Sequence, residues 1–377
     1  MAKAKSTKSV KITTSILCIL AIIIGFLAGG FVYLYINQEK SDVFVSGDLS
    51  IHFYGLGNHY SGDSIFIQCG DNDILIDAGS RKSSAEAIEN YVDQYVDDGI
   101  LEYVIVTHSD RDHIAGFVGT SSVDGIFEHY EVETIIEFPK TNKTVEDSQT
   151  LGDYYDARDA EVESGAKCYT ALECYNNENG AQRVYELAPG VEMEILYNYY
   201  YENHASNEND YSVCVMFNQG DNHYLFTGDL EEEGEKHLVE YYESIGEPLP
   251  ECVFYKAGHH GSHTSSNQIL METIRPEYIV VCTCAGTSEF SDTPAKQFPS
   301  QKFINNIAPY TDKVYIPTMV DYYVENGETK ETYQDMNGSI VFTCSNGQID
   351  IECSNNNLIL KDTEWFKENR TCPSVWL

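Results

Sequence analysis

Three short strings contain the residues able to do chemistry. Residues 107–113 read THSDRDH and place His108, Asp110, Asp112 and His113 within six positions. Residues 226–230 read FTGDL and add Asp229. Residues 256–266 read KAGHHGSHTSS and add Lys256, His259, His260 and Ser262. Imidazole and carboxylate together suit Zn²⁺ or Mn²⁺, and two aspartates beside two histidines shift the balance toward Mn²⁺. Asp229 is a carboxylate able to bridge two ions, and His259 and His260 supply further imidazoles. That set is large enough for two divalent ions ~3.5–4 Å apart. Each string alone has an ordinary reading as a cap, a turn or a loop. The combination, with each string following an apolar strand-like run, points to a metal site.

Such a site implies hydrolysis. A divalent ion lowers the pKa of water from about 15.7 to ~7, which supplies hydroxide near neutral pH. It also polarises the substrate oxygen and offsets transition-state charge. Asp112 or Asp110 is then expected to orient the water or accept its proton. No serine or cysteine nucleophile is required. Ser262 is expected to lie within reach of an anionic oxygen, and Lys256 to bring positive charge to the rim.

The elements that position these strings alternate between strand-like and helix-like runs, which indicates an α/β sandwich. Ile51–Tyr54, Ser64–Gln68, Asp73–Ile76 and Tyr103–Val106 read as strands. Ser83 to Glu86 reads as a capping box opening a helix that Gly99 closes. Residues 139–210 are rich in Asn, Glu, Tyr and Ser with poor periodicity, and are expected to form an irregular insertion. Strands are expected to resume at Tyr211–Phe217, Tyr224–Thr227, Cys252–Tyr255 and Tyr278–Thr283, with a charged helix at Glu231–Tyr242. Residues 306–377 read as a β-rich extension that either closes a sheet or stands as an appendage.

The chain has 377 residues, of which 42% are hydrophobic, so a sizeable core is available and a mostly disordered chain is excluded. Residues 12–36 carry no charge and are long enough to span a bilayer. Four lysines precede the run in the basic tail 1–11, and Glu39 and Asp42 follow it. This pattern predicts an uncleaved single-pass anchor, with a cytoplasmic N-terminus and the remainder outside the cell. A cleaved signal peptide ending near Ala28-Gly29-Gly30 is the competing reading. Beyond the run, 19 Lys and Arg face 60 Asp and Glu, a net of −41, which argues against a broad basic nucleic-acid-binding face. Ten of the eleven cysteines lie beyond it, and Cys168 and Cys174 are the better candidates for a disulfide.

These strings resemble the metallo-β-lactamase fold superfamily. Within it they are most similar to the extracellular hydrolase domain of ComEC-type competence proteins and its stand-alone relatives. The superfamily pattern His-x-His-x-Asp-His takes the form His-x-Asp-x-Asp-His in that subgroup, as at 108–113. Gly62-Asp63-Ser64, Leu75 to Gly79, Asn209 to Ser212, Thr227 to Leu230 and Lys256 to Ser262 match further motifs of the subgroup. The resemblance covers residues 48–305 and implies an αββα sandwich. It also implies that His108, Asp110, Asp112, His113, Asp229 and one of His259 and His260 are metal ligands, with His260 favoured. His259 then stabilises charge or braces a ligand, Asp77 braces the metal loop, and Asn209 and Ser212 line the site. One departure stands out. Relatives usually carry a late His-Pro pair, and this chain has Phe298-Pro299, with no histidine after His263. One of the two ions is therefore expected to be weakly held, unless His263 compensates. His59 is a further histidine able to approach the site from the glycine-rich turn.

The resemblance favours a phosphodiester substrate, whether a small molecule, a cell-wall polymer or a nucleic acid. The acidic exterior lowers the extracellular-nuclease alternative. A non-catalytic binding module on a degenerate scaffold is the alternative from another class. No protein partner follows from the sequence.

Overall fold

The computed structural model describes residues 48–345 and 347–377. The expected anchor at 12–36 lies outside the described residues. Among the described residues no helix is long and apolar enough to cross a membrane.

The strands in chain order begin with β1 (Leu49–Phe53), β2 (Ile65–Cys69), β3 (Asn72–Ile76), β4 (Ile100–Val106), β5 (Glu131–Glu137) and β6 (Lys167–Thr170). There follow β7 (Val184–Ala188), β8 (Val191–Leu196), β9 (Cys214–Gln219), β10 (Asn222–Phe226), β11 (Phe254–Lys256) and β12 (Tyr278–Val280). The last are β13 (Cys284–Ala285), β14 (Val314–Tyr315), β15 (Thr318–Glu325), β16 (Glu328–Asp335), β17 (Ile340–Ser345) and β18 (Gln348–Cys353).

Two large sheets result. One has the order β18-β17-β1-β2-β3-β4-β5-β6 and the other β14-β12-β11-β10-β9-β8-β7. Each combines an antiparallel half with a parallel half: β3, β4, β5 and β6 run parallel in the first, and β10, β11, β12 and β14 in the second. Their inner faces meet through aromatic rings, with Phe254 5.6 Å from Phe53 and 5.1 Å from Phe342, ring centre to ring centre. On the outer face of the second sheet, Leu238, Leu270, Met271, Phe303 and Ile307 join Leu225, Tyr255 and Ile279 in a separate apolar layer. The architecture is a mixed α/β sandwich with a β-rich C-terminal region.

The structure differs from the sequence-based outline in three places. Residues 139–210 are regular: a 16-residue helix (Gln149–Ser164), β6, a short helix, β7 and β8 all fall within them. The first helix, α1 (Ser84–Val92), ends at an Asp93 cap and not at Gly99, and Ser83 makes no side-chain cap. Two four-residue helices follow, α2 (Arg111–Ile114) and α3 (Ile126–His129). Next comes α4 (Gln149–Ser164), with only Leu151 and Tyr154 fully buried, so it leaves almost no apolar periodicity to read. Of the two readings of residues 306–377, closing a sheet holds for β14, β17 and β18, which complete the two large sheets, while the β15–β16 hairpin forms a small sheet with β13. Cys168 and Cys174 are both free, as are all cysteines among the described residues. Cys174 is buried, with its Sγ 3.5 Å from the Tyr185 hydroxyl.

Candidate metal centre

The C-terminal ends of β3, β4, β10 and β11 converge on one edge of the sandwich, where α/β sites form. β3 delivers Asp77, β4 delivers the 107–113 string, β10 delivers Gly228 and Asp229, and β11 delivers Lys256 and the histidine pair. The local backbone is strained to do this. His259 and His260 are consecutive residues in the left-handed region, with φ of 47° and 53°. Asp77 is there too, at 59°. Such conformations persist where the surroundings hold them, and they gather at functional sites. Gly228 at φ 51° admits no side chain, because a Cβ would meet Ser212 Oγ at 2.8 Å.

Four groups converge tightly. Ligand atoms of Asp112, His113, Asp229 and His260 all lie within 4.8 Å of one another. His113 Nε2 is 3.2 Å and His260 Nε2 3.3 Å from Asp229 Oδ2, and His260 Nε2 is also 3.3 Å from Asp112 Oδ2. His108 and Asp110 stand beside this group, with His108 Nε2 3.5 Å from Asp110 Oδ2.

The polar atoms here fit a cation. Nε2 of His108, His113 and His260, together with Asp229 Oδ1, are buried without a hydrogen-bond partner. Buried polar atoms are normally paired, so each orphan needs an explanation. Three nitrogens and a carboxylate oxygen orphaned together are what a divalent ion would satisfy. Asp112, His113, Asp229 and His260 would hold one ion, a donor set of two imidazoles and two carboxylates that suits Zn²⁺ or Mn²⁺. His108 and Asp110 lie outside that four-group set, and Asp110 pairs with Lys143. A further grouping of Asp63, Asp77 and His113 is met from within the protein. Lys256 pairs with Asp63, and Thr107 donates its N–H and hydroxyl to Asp77 at 2.8 and 2.7 Å.

The electrostatics follow from burial opposed by charge. Burial disfavours charge on His113 and His260, yet Asp229 with Asp77 raises His113, and Asp229 with Asp63 raises His260, well above the usual imidazole range. Burial raises Asp229, but His260, His113 and His259 hold it well below the usual carboxylate range. Asp63 is likewise raised by burial and brought down to about 2 by Lys256, His260 and His113.

The remaining expected residues fall as follows. Asp77 is fully buried and grips His113 Nδ1 at 2.7 Å. Ser212 Oγ accepts from the Asp229 N–H at 3.0 Å and donates to Asn209 O at 2.7 Å, so it shapes the Asp229 turn. Asn209 donates to Glu231 at 3.1 Å. His259 is at the mouth, 18% exposed, with Nδ1 3.2 Å from Glu231 and Nε2 3.9 Å from Asp229. Ser262 is buried, and its hydroxyl meets that of Thr264 at 3.0 Å. Lys256 is not at the rim: it is 1% exposed, paired with Asp63 and 3.6 Å from Asp229 Oδ1. A buried lysine is retained there because two buried carboxylates need a counter-charge. His59 lies against the Tyr60 ring, tilted at 36°, and His263 is exposed; neither is brought into the four-group cluster. Phe298 packs against both members of the histidine pair, its ring centre 5.8 Å from His259 and 6.0 Å from His260.

Sequence reasoning passed over four partners. Asp63 sat in a quoted motif and was given no role. Glu231 directly follows the TGDL string, yet reads as the start of a charged helix. Thr107 opens the first string. Lys143, which pairs with Asp110 and donates to Ser109 O at 2.9 Å, has no local signal, because it reaches the loop from 33 residues away.

Residues 57–144 match the family model described as Metallo-beta-lactamase superfamily, a stretch that includes the whole first string and Asp77. None of the curated proteins matches the chain. Solved structures similar to it include CmlA, a diiron β-hydroxylase from Streptomyces venezuelae, at TM-score 0.34 and 11% identity, covering 63% of this chain and 44% of that one. A metallo-β-lactamase from Cronobacter sakazakii scores 0.28 at 15% identity, covering 48% and 64%. A metallo-β-lactamase from Hirschia baltica scores 0.25 at 18% identity, covering 49% and 68%. The chain thus spans less than half the length of the first of these. Likenesses this partial carry no argument, and the fold rests on its own topology.

Proposed function

We propose that this protein is a metal-dependent hydrolase of the metallo-β-lactamase type acting on phosphodiesters. The observation that carries the reading is the convergence of Asp112, His113, Asp229 and His260 with their ligand atoms within 4.8 Å and several of them orphaned. When bound there, divalent ions supply Lewis acidity toward a phosphoryl oxygen and make water acidic enough to ionise near neutral pH.

The chain's own residues prepare that chemistry. Asp77 fixes the His113 ring, so that Nε2 faces Asp229. Lys256 neutralises Asp63 and part of Asp229, which lets these two buried acids coexist. Asp112 or Asp110 would orient a water or take its proton. His259, held at Nδ1 by Glu231 and by the Thr264 hydroxyl at 3.1 Å, would stabilise charge or pass a proton to the departing oxygen. No serine or cysteine is needed as nucleophile.

The similarity of the strings to ComEC-type hydrolase domains supports the phosphodiester over a carbonyl centre. The uncharged run 12–36 behind four lysines supports a single-pass membrane anchor with the hydrolase outside the cell. Few surface cations support a small or wall-linked phosphodiester over DNA. The test is turnover of bis(p-nitrophenyl) phosphate with Mn²⁺ or Zn²⁺, beside a chromogenic β-lactam. Turnover of the phosphodiester alone is expected. Turnover of the lactam alone would overturn the assignment.

A further inference from the structure

Cations are scarce outside the N-terminal tail, yet Arg81, Arg111, Lys143 and Lys256 all gather around the metal loop. Lys143 and Lys256 have partners inside the cluster described above. Arg81 and Arg111 share a different one, the carboxylate of Glu289. Arg81 Nη2 is 2.8 Å and Arg111 Nη2 3.6 Å from Glu289 Oε1, and the Ser61 N–H donates to Oε2 at 3.1 Å. Two guanidiniums and a backbone N–H on one oxyanion make an anion-binding arrangement. Arg81 Cζ lies over the Tyr60 ring, 3.6 Å from its centre, and the guanidinium also donates to Ser80 O at 2.6 Å. Glu289 itself is only 9% exposed on its side chain, although it comes from a loop whose next residues, Phe290 to Lys296, are mostly exposed.

This arrangement is tied to the loop that carries Asp112 and His113. Arg111 lies between Asp110 and Asp112 in the chain, and its side chain is 56% exposed. The turn that carries the Ser61 N–H is pinned to the same loop, with Asp63 N–H donating to Asp112 O at 3.1 Å. A Cβ on Gly62 would meet that oxygen at 2.8 Å, so the approach admits only glycine.

We propose that Arg81, Arg111 and the Ser61 N–H form an anion subsite beside the metal centre. The Glu289 carboxylate fills it in the free protein, and a second phosphate of the substrate displaces it. The inference rests on the phosphodiesterase reading and narrows it to substrates with more than one phosphate group, such as an oligomeric phosphodiester. Arg111 meets Glu289 only as an ion pair at 3.6 Å, and a guanidinium carries five donors.

Calorimetric titration with sulfate, a weak ligand for divalent ions, tests the subsite without turnover. Glu289→Gln is expected to bind sulfate about tenfold more tightly than the parent. Adding Arg81→Met, or Arg111→Met if the first variant unfolds, is expected to abolish the gain. Equal affinity in the parent and Glu289→Gln overturns the subsite. In kinetics, Glu289→Gln is expected to lower KM for a 5′-phosphorylated dinucleotide relative to that for bis(p-nitrophenyl) phosphate, and an unchanged ratio overturns the substrate class. Absence of turnover in every protein would count against the phosphodiesterase reading, while the sulfate titration still decides the subsite.

Discussion

Asp77 grips His113 from behind: its Oδ2 lies 2.7 Å from Nδ1, while the opposite ring nitrogen faces Asp229 at 3.2 Å. A carboxylate behind a ligating imidazole fixes its tautomer and raises its basicity. Asp77→Asn keeps the volume and removes the charge. Divalent-metal affinity is expected to fall about 10–100-fold, read by competition with a chromophoric chelator. Unchanged affinity would show that Asp77 only ties down the Thr107 turn.

Lys256 tests the charge balance of the interior. Replacing it with Met leaves Asp63 buried without its counter-charge and takes away the nearest lysine from Asp229. Removing one partner of a buried pair costs about 3–5 kcal/mol, so the urea midpoint is expected to drop sharply. Adding Asp63→Asn is expected to recover part of the loss. A midpoint within error of the parent would contradict the pairing.

His259 and His260 are neighbours with different assignments. His259→Ala is expected to lower kcat about 10²–10⁴-fold with metal content retained, as for loss of a proton-transfer group. His260→Ala is expected to lose the metal itself. Elemental analysis of both variants separates the roles, and metal loss in the His259 variant would make it a ligand.

The pH response of folding has a source far from the metal centre. His52 is 2% exposed among Phe66, Tyr91 and Tyr95, with Nδ1 3.1 Å from the Tyr91 hydroxyl and Nε2 2.9 Å from Ser50 Oγ. Burial lowers its pKa from 6.5 to about 4. The folded state then binds fewer protons than the unfolded one across that interval. Stability is full above pH 6.5 and declines as pH falls toward 4. Urea midpoints at pH 7 and pH 5 are expected to differ more in the parent than in His52→Asn. An equal difference would place the acid sensitivity elsewhere.

The site was legible in proportion to how local its signals were. His108 to His113, Asp229 and the 259–260 pair each follow a strand within a few residues, so type and spacing sufficed to nominate them. Lys143 and Glu289 reach the metal loop from distant loops, and nothing in their immediate sequence marks them. Lys256 read as a rim charge because the pattern gives no depth; only the packing of β11 between β10 and β12 shows it to be interior. In the 139–210 segment, Val191, Met193 and Ile195 of β8 alternate inward with Glu192 and Glu194, a strand signal obscured by the acidic and tyrosine-rich surroundings. The helix α4 gave no such signal, because it rests on the sheet through few residues.

Metal content measured together with turnover, in the parent and in Asp229→Ala, bears most directly on the central claim. Asp229 Oδ2 lies within 3.3 Å of both His113 and His260, so its loss removes the carboxylate these two ligands share. The parent is expected to hold at least stoichiometric divalent metal and to hydrolyse bis(p-nitrophenyl) phosphate, and Asp229→Ala to lose both while remaining folded. A parent that binds no divalent metal, or a variant that keeps parental metal and turnover, would contradict the assignment of this cluster as a catalytic metal centre.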